Sequence, residues 1–308
     1  MNLLIFIIQL SLVTAISPLC TGIIKKIKAH LQNRHGASVF QPYYDIWKLL
    51  HKDEVISRDA SFIFRLTPFI IFAVTVFVGF SIPLFTSFSN IFQASNILVI
   101  IYTLAIGTFF LALAGMDSGS PMGGFGSSRE MTVSALAEGG FIFSLLTVAL
   151  INHSTDLFTI ASANLFDFSQ SLLPIILAFS GFLIVLLAET ARFPFDNPAT
   201  HLELTMIHES MILEYSGKRL ALMEWAASNK LVIFIALGTN LFFPLGLASE
   251  ATLVAILIGL LAFVIKIIIF SVAIASLESS LAKFRFFRLP DLLLSALIIN
   301  AVAIALIF

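Results

Sequence analysis

Ionisable side chains occur inside otherwise apolar stretches of this sequence, at positions where charge is costly. Glu138 stands between Ala137 and two glycines, Lys266 lies in the middle of a long apolar run, and Glu278 follows twelve residues later. A charge near the centre of a bilayer costs about 2.5–3.5 kcal/mol on the most lenient scale, so each of these residues needs a partner or a function. Burial moves the pKa of a carboxyl or a lysine toward neutrality, which suits groups that exchange protons.

Several acids together with a buried lysine favour a hydrated proton or ion path. The alternative is a structural ion pair, for example Glu138 with Lys266, that only holds helices together. We predict that Glu138 and Lys266 belong to one buried polar network, because either residue alone would be an uncompensated charge in the membrane.

The motifs of soluble enzymes and of metal sites are incomplete in this chain. His208-Glu209 begins like a zinc-protease motif, but Ile212 stands where the second histidine is required. A single cysteine, Cys20, cannot supply an iron–sulfur cluster or a zinc site. The net charge of −1 gives no sign of a nucleic-acid partner. We therefore expect no catalytic residue, no metal ligand and no bound cofactor in this chain.

Long apolar helices must position these residues. The chain is 59% hydrophobic and 11% charged, and its apolar runs lie at about 3–24, 66–85, 97–114, 131–151, 172–188, 231–247, 251–277 and 292–307. Each run has about the length that a helix needs to cross a bilayer, and lipid requires the internally bonded backbone of a helix. The sequence predicts an all-α polytopic membrane protein with eight transmembrane helices, forming one integral membrane domain over residues 1–308 in contact with lipid.

The distribution of Lys and Arg predicts the orientation. Apart from Lys266, every Lys and Arg lies in the connections after the first, third, fifth and seventh runs. Positive charge is retained on the cytoplasmic side, so both termini should lie outside the cytoplasmic (inner) membrane. Two cytoplasmic loops, at about 25–65 and 189–230, are long, and we expect amphipathic helical segments in them, such as 43–52, at the membrane surface or under a partner.

These two loops carry motifs specific enough to compare with known families. The first contains Arg34-His35-Gly36, Gln41-Pro42-Tyr43, Asp45 and Lys48-Leu49; the second contains Glu189-Thr190-Ala191-Arg192-Phe193-Pro194-Phe195-Asp196, then Glu203 and Glu214-Tyr215-Ser216-Gly217. Together with Lys266 and the spacing from Arg129 to Glu138, they resemble the complex I subunit 1 family. That family comprises the quinone-side membrane subunit of NADH:quinone oxidoreductase and its relatives in membrane-bound NiFe hydrogenases.

Departures from the quinone-reducing pattern indicate the hydrogenase branch. Ala199 and His201 stand where quinone-reducing members have acidic residues, and Glu278 stands where they have an arginine. The segment 115–130, with Asp117, is also similar to the branch of hydrogenase 4, formate hydrogenlyase and archaeal membrane-bound hydrogenase. A quinone is therefore expected only under the alternative assignment.

The resemblance implies a division of labour. Soluble hydrogenase large and small subunits and an iron–sulfur protein would carry the iron–sulfur clusters and the Ni–Fe centre. This chain would anchor them and begin a proton path toward antiporter-like membrane subunits. The path residues would be Glu138, Glu189, Glu203, Glu214, Lys266 and Glu278. Partner docking and the loop motif would involve Arg34, Gln41, Pro42, Tyr43, Asp45, Lys48, Asp117, Arg129, Arg192, Asp196 and Tyr215.

Two alternatives stay open at this point. One is the quinone-site membrane subunit of an NADH:quinone oxidoreductase. The other is a free-standing ion transporter, for which inverted repeats and broken helices at the membrane midplane would be expected. No internal repeat is visible in the sequence.

Overall fold

The computed structural model describes residues 2–57, 60–88, 94–162, 172–196 and 206–308, without the side chains of residues 2–7 and 10. Within these ranges the chain is helical and forms no β-sheet, as predicted. The helices are α1 (Asn2–Leu31), α2 (Gln41–Leu50), α3 (Phe62–Ser81), α4 (Ile97–Asp117), α5 (Pro121–Ile151), α6 (Leu157–Ala161), α7 (Leu172–Glu189), α8 (His208–Ile212), α9 (Gly217–Phe242), α10 (Leu253–Ser280) and α11 (Leu289–Ala305).

Seven of the described helices are long and apolar enough to cross a membrane, where eight spans were predicted. They are α3, α4, α5, α7, α9, α10 and α11 with the 3-10 turn before it. Helix α1 occupies the position of the predicted first span but is not among the seven. Its described side chains begin near residue 8 and include Lys25, Lys26 and Lys28 in the last turns. The multi-pass fold is confirmed, and the count differs by one.

The helices begin where the sequence supplies capping groups. Side chains of Ser61, Asn96, Asp156 and Thr252 accept hydrogen bonds from backbone N–H groups in the first turns of α3, α4, α6 and α10. Helices α2, α5 and α11 each have a proline in the first turn, where its missing N–H is not needed. Local sequence therefore fixes where most of the described helices begin.

Helix α9 is the centre of the bundle and packs against α1, α2, α3 and α7, while α5, α7 and α11 form a second group. An aromatic cluster joins the two groups: the rings of Phe141 and Phe234 lie 5.1 Å apart, and those of Phe182 and Phe242 lie 5.3 Å apart. Gly181 permits the close approach of α11, because a Cβ atom there would lie 2.1 Å from the Asn300 side-chain oxygen. The buried connection after α3 pairs through Thr86 with Ala248, the buried residue of the otherwise more exposed connection after α9.

Candidate functional site

A cavity of about 700 Å³ opens between α1, α2, α8, α9 and the last turns of α7 and α10. One part of its wall is apolar, with Ile71, Val74, Leu104 and Leu111 from α3 and α4. The ionisable residues on the wall are Lys25, Lys28, Arg34, His35, Asp45, Glu130, Glu189, Arg192, Asp196, His208, Glu209, Glu224, Lys230 and Glu278. The volume is typical of a ligand pocket, but the density of charge is unusual for one.

Glu278 is the most tightly held carboxylate of this wall. Its two oxygens each accept a hydrogen bond at 3.1 Å, one from Lys28 of α1 and the other from Arg192. The carboxylate lies in the last turn of α10 and is 5% exposed. Removing one partner of such a buried pair typically costs about 3–5 kcal/mol, because a charge is left without compensation. Glu278 therefore joins the ends of three helices at the cavity.

Arg192 is oriented by the C-terminal cap of α7. Ala191 adopts a left-handed conformation with φ of 50°, and the N–H of Arg192 donates to the carbonyl of Leu187 at 2.8 Å. This is the usual way in which a helix ends and the chain reverses direction. The turn carries the guanidinium from the axis of α7 toward α10.

Two acids of the second loop motif, Glu189 and Asp196, are also bound to lysines. Glu189 accepts from Lys230 of α9 at 2.8 Å, and Asp196 accepts from Lys283 at 2.7 Å. The second oxygen of Asp196 accepts from the backbone N–H groups of Ile207 and His208 at 3.2 and 3.0 Å. Asp196 is 2% exposed, so it fixes the start of α8 against the loop.

Four further acids of the cavity wall are not part of any ion pair in the described ranges: Asp45, Glu130, Glu209 and Glu224. Burial raises the pKa of Glu209 to about 7, and the charges of Glu224 and Asp196 add to this effect while that of Lys25 opposes it. Burial and the charge of Lys230 lower the pKa of the neighbouring His208 to about 4. Near neutral pH, Glu209 exchanges a proton with ease, whereas His208 is neutral.

Glu138 lies on α5 eight residues beyond Glu130, which is about 12 Å farther along the helix. It is partly buried and interacts electrostatically with Glu189 and Lys230, and Ser134 is its hydrogen-bonding neighbour. Glu130 on the cavity wall and Glu138 thus lie on the same membrane-spanning helix. Glu214 is exposed and does not line the cavity, and Glu203 lies outside the described residues.

The predicted network of Glu138 with Lys266 was wrong. Lys266 donates to the side-chain oxygen of Asn240 at 2.7 Å and to the carbonyl of Phe243 at 3.2 Å. No hydrogen bond or ion pair of the described structure joins it to Glu138. The sequence could not show that the apolar runs of α5 and α10 place these two side chains in different surroundings.

Apart from Arg192 and Asp196, which form the ion pairs described above, the predicted docking residues fall into two groups. Arg34, Gln41 and Lys48 are exposed on the first loop and on α2, and Gln41 donates to Asp45 at 2.9 Å. Pro42 and Asp45 line the cavity, and the hydroxyl of Tyr43 donates to the carbonyl of Ala15. Burial raises the pKa of Tyr43.

The second group faces the inside of the bundle. Asp117 accepts from the N–H groups of Ser61 and Phe64 at 3.0 and 3.1 Å, so it caps α3. Arg129 donates to the carbonyl of Met206 at 3.0 Å. Tyr215 is buried, stacks on Phe64 with ring centres 3.9 Å apart and donates to the carbonyl of Phe64 at 2.8 Å; burial raises its pKa. These residues make contacts within the scaffold; Tyr215 is buried, and Asp117 and Arg129 are half-buried.

A family model described as NADH dehydrogenase matches residues 2–308. The chain belongs to this family. Hydrogenase-4 component C of Escherichia coli is 34% identical over 90% of this chain and 87% of its own length. Formate hydrogenlyase subunit 4 of the same organism is 31% identical over 92% of this chain and 92% of its own length. NADH-quinone oxidoreductase subunit 8 of Rhodothermus marinus is 27% identical over 78% of this chain and 75% of its own length.

A chain in the structure of an archaeal membrane-bound sulfane sulfur reductase, a respiratory membrane complex, has the same fold. It superposes with a TM-score of 0.84, covers 99% of this chain and 97% of its own, and is 21% identical. The NADH dehydrogenase family and the multi-pass fold thus agree with the resemblance seen in the two loops.

Sequence reasoning missed several residues of the site in this member of the NADH dehydrogenase family. Lys28, Glu130, Glu209, Glu224 and Lys230 were not selected, although all five line the cavity. The sixth apolar run was placed at 231–247, which left Glu224 and Lys230 in a loop, whereas α9 begins at Gly217. Recognising the helical continuation through 217–230 would have placed both side chains on a membrane helix. In the described ranges no three His, Cys, Asp or Glu residues are grouped to hold a metal.

Proposed function

We propose that this chain is a membrane subunit of a complex I-related, membrane-bound NiFe hydrogenase of the hydrogenase 4 or formate hydrogenlyase type. Its role is to anchor the soluble electron-transfer arm and to begin the proton path into antiporter-like membrane subunits. The observation that carries the proposal is the series of acids from the cavity to Glu138. The identity to hydrogenase-4 component C and formate hydrogenlyase subunit 4 supports the choice of complex.

The path begins at the cavity wall. Glu209 has a pKa of about 7, so it can take up and release a proton without a large change in free energy. Glu224, Glu130 and Glu189 line the same cavity, and the cavity is large enough for water molecules that would connect them. Glu138 continues the series into α5. Glu278 has another role, because its two cationic partners hold it as the structural link between α1, the loop and α10.

The soluble arm would bind on the side where the two long loops lie. Exposed Arg34, Gln41 and Lys48 offer charged and polar groups there, and Tyr44 and Trp47 of α2 are 64% and 66% exposed. Aromatic residues and arginine are common at the centres of protein interfaces. The partners would be the hydrogenase large and small subunits and an iron–sulfur protein, which carry the clusters and the Ni–Fe centre. The charge distribution supports placing these loops in the cytoplasm and both termini outside the inner membrane.

A second candidate is the quinone-site subunit of an NADH:quinone oxidoreductase. The apolar part of the cavity wall, formed by Ile71, Val74, Leu104 and Leu111, favours it, because such a wall would suit a quinone ring and tail. Against it stands Glu278, whose hydrogen bonds with Lys28 and Arg192 fill the cavity margin with a buried ion cluster.

Purification of the complex through a tag on this chain tests the proposal. Under mild detergent we expect a hydrogenase large subunit with paired Cys-x-x-Cys motifs to copurify, together with hydrogen-evolving or hydrogen-consuming activity. Quinone reduction by the purified complex, without a hydrogenase large subunit, would support the second candidate. A chain that purifies alone and moves ions in liposomes would contradict both and indicate a free-standing transporter.

A further inference from the structure

Lys266 is a membrane-embedded cation without an anionic partner in the part of the chain that the structure describes. Its ammonium donates to two neutral acceptors, the Asn240 side-chain oxygen at 2.7 Å and the carbonyl of Phe243 at 3.2 Å. The five ion pairs of the described residues all involve other cations. Because an ammonium carries three donors, one N–H of Lys266 has no acceptor in the described structure.

The two acceptors are fixed by the ends of α3 and α9. The side-chain nitrogen of Asn240 donates to the carbonyls of Pro83 and Leu84, both at 2.8 Å. Both amide protons are therefore in use, and the Asn240 oxygen can only accept. Asn240 is 1% exposed, so this arrangement is rigid and cannot turn to offer Lys266 a different group.

Lys266 borders an exposed apolar stripe of α10. Of the seven candidate spans, α10 is the least buried, at 17% against 28–61% for the others, and it packs mainly against α1. Leu261, Ile265 and Ile269 repeat every four residues and are 61%, 47% and 59% exposed. At 100° per residue, Lys266 lies about 60° around the helix from Ile269, on the side of the stripe that turns toward α9.

The depth of Lys266 determines the kind of anion that can reach it. It lies thirteen residues from Leu253 and fourteen from Ser280, the two ends of α10, which is about 20 Å from either end. A lipid phosphate remains at the headgroup level and Lys266 cannot extend that far. A carboxylate on a membrane-spanning helix can reach this depth, and such residues are rare there and usually paired.

We propose that the stripe of Leu261, Ile265 and Ile269 binds a transmembrane helix of a neighbouring membrane subunit, and that an Asp or Glu of that helix pairs with Lys266. The inference rests on the proposed function in one respect: it requires that this chain works beside another membrane subunit. It adds the surface, the chemistry of the partner and the residue that recognises it.

Zero-length cross-linking in the complex purified through this chain tests the pairing. Dicyclohexylcarbodiimide enters membranes and activates a carboxylate as its O-acylisourea. Attack by the Lys266 amine forms an amide and releases dicyclohexylurea. We expect mass spectrometry to find Lys266 joined to an Asp or Glu of another membrane subunit. Lys266→Arg should keep that subunit in the complex but give no adduct, because a guanidinium is a poor nucleophile.

Two further variants separate pairing from folding. Lys266→Met should lower the amount of the neighbouring subunit that copurifies at least tenfold. A photoreactive side chain at Leu261 or Ile265 should label the same subunit. The matched control is a photoreactive side chain at Tyr102 of α4, which is 62% exposed and should label lipid. If Lys266→Met does not accumulate, the results with Lys266→Arg and with the photoreactive variants test the proposal in its place.

Absence of a Lys266 adduct together with labelling of lipid alone from Leu261 and Ile265 would overturn the proposal. An adduct to an acid of this chain, such as Asp167, would also overturn the proposal. So would an unchanged amount of the neighbouring subunit copurifying with Lys266→Met. The proposed function fails differently. In that case no hydrogenase subunit copurifies with the unaltered chain, whatever α10 contacts.

Discussion

Glu209 shows how its surroundings, and not its residue type alone, set the chemistry of the cavity. The carboxyl has an ordinary pKa of 4.5, and burial with the nearby acids raises that pKa to about 7. Between these pH values the folded protein binds more protons than the unfolded chain, so stability falls as pH rises through this window. His208 acts in the opposite sense, because its pKa is lowered to about 4 and protonation below its ordinary pKa of 6.5 opposes folding.

A first prediction concerns Glu209→Gln. Glutamine cannot ionise, so the free energy of unfolding should fall less between pH 5 and pH 8 than it does in the unaltered protein. One pKa unit corresponds to about 1.4 kcal/mol, so a difference on the order of 1–3 kcal/mol is expected. Melting temperatures of the purified protein at several pH values measure it. Equal slopes for both proteins would contradict the raised pKa.

A second prediction concerns the membrane end of the acid series. Glu138→Gln cannot carry a proton, so coupled proton movement in membrane vesicles should fall at least tenfold while the complex remains assembled. Glu250→Gln is the matched control, because Glu250 is exposed in the connection before α10 and lies outside the series. Loss of the assembled complex in Glu138→Gln would instead favour a structural role for this carboxylate.

At the scale of elements, ion pairs join the ends of helices that are distant in sequence. A third prediction follows for Glu278→Gln, which leaves Lys28 and Arg192 without their shared anion and should destabilise the protein by about 3–5 kcal/mol. The control variant Glu54→Gln breaks the pair of Glu54 with Arg219. The Glu54 side chain is 24% exposed, whereas that of Glu278 is 3% exposed. This control should cost about 0–1 kcal/mol. Chemical denaturation of the two variants measures the difference, and equal costs would contradict the buried link.

Sequence alone predicted the elements better than their contacts. Apolar runs predicted the positions of the membrane helices, and the motif Glu189–Asp196 directed attention to the loop that borders the cavity. Composition could not show that Tyr215 turns inward to stack on Phe64, or that Asp117 caps α3. Nor could it find Glu130 and Glu224 as cavity residues. These depend on which faces of α5 and α9 meet, and the moderate amphipathicity of buried membrane helices carries little of that information.

At the scale of the whole molecule, the orientation is open to a direct test. Reporter fusions at Leu50, Phe125, Met206 and Arg285 should all report cytoplasm, because Lys and Arg are concentrated in these connections. A fusion before α1 should report the outside if α1 crosses the membrane, as its 30 residues allow. A periplasmic signal at Met206 or Arg285 would refute this topology, and a cytoplasmic N-terminus would leave seven spans.

The link made by Glu278 also has a consequence for the order of biosynthesis. Lys28 and Arg192 are synthesised 250 and 86 residues before the carboxylate that binds them both. A nascent chain that has released α1 to α9 but not α10 from the ribosome therefore holds two cations with no common anion, and the margin of the cavity is open. Closure waits until α10 has been inserted. Assembly factors or partner subunits that bind the closed margin would thus recognise only chains whose synthesis has passed residue 278.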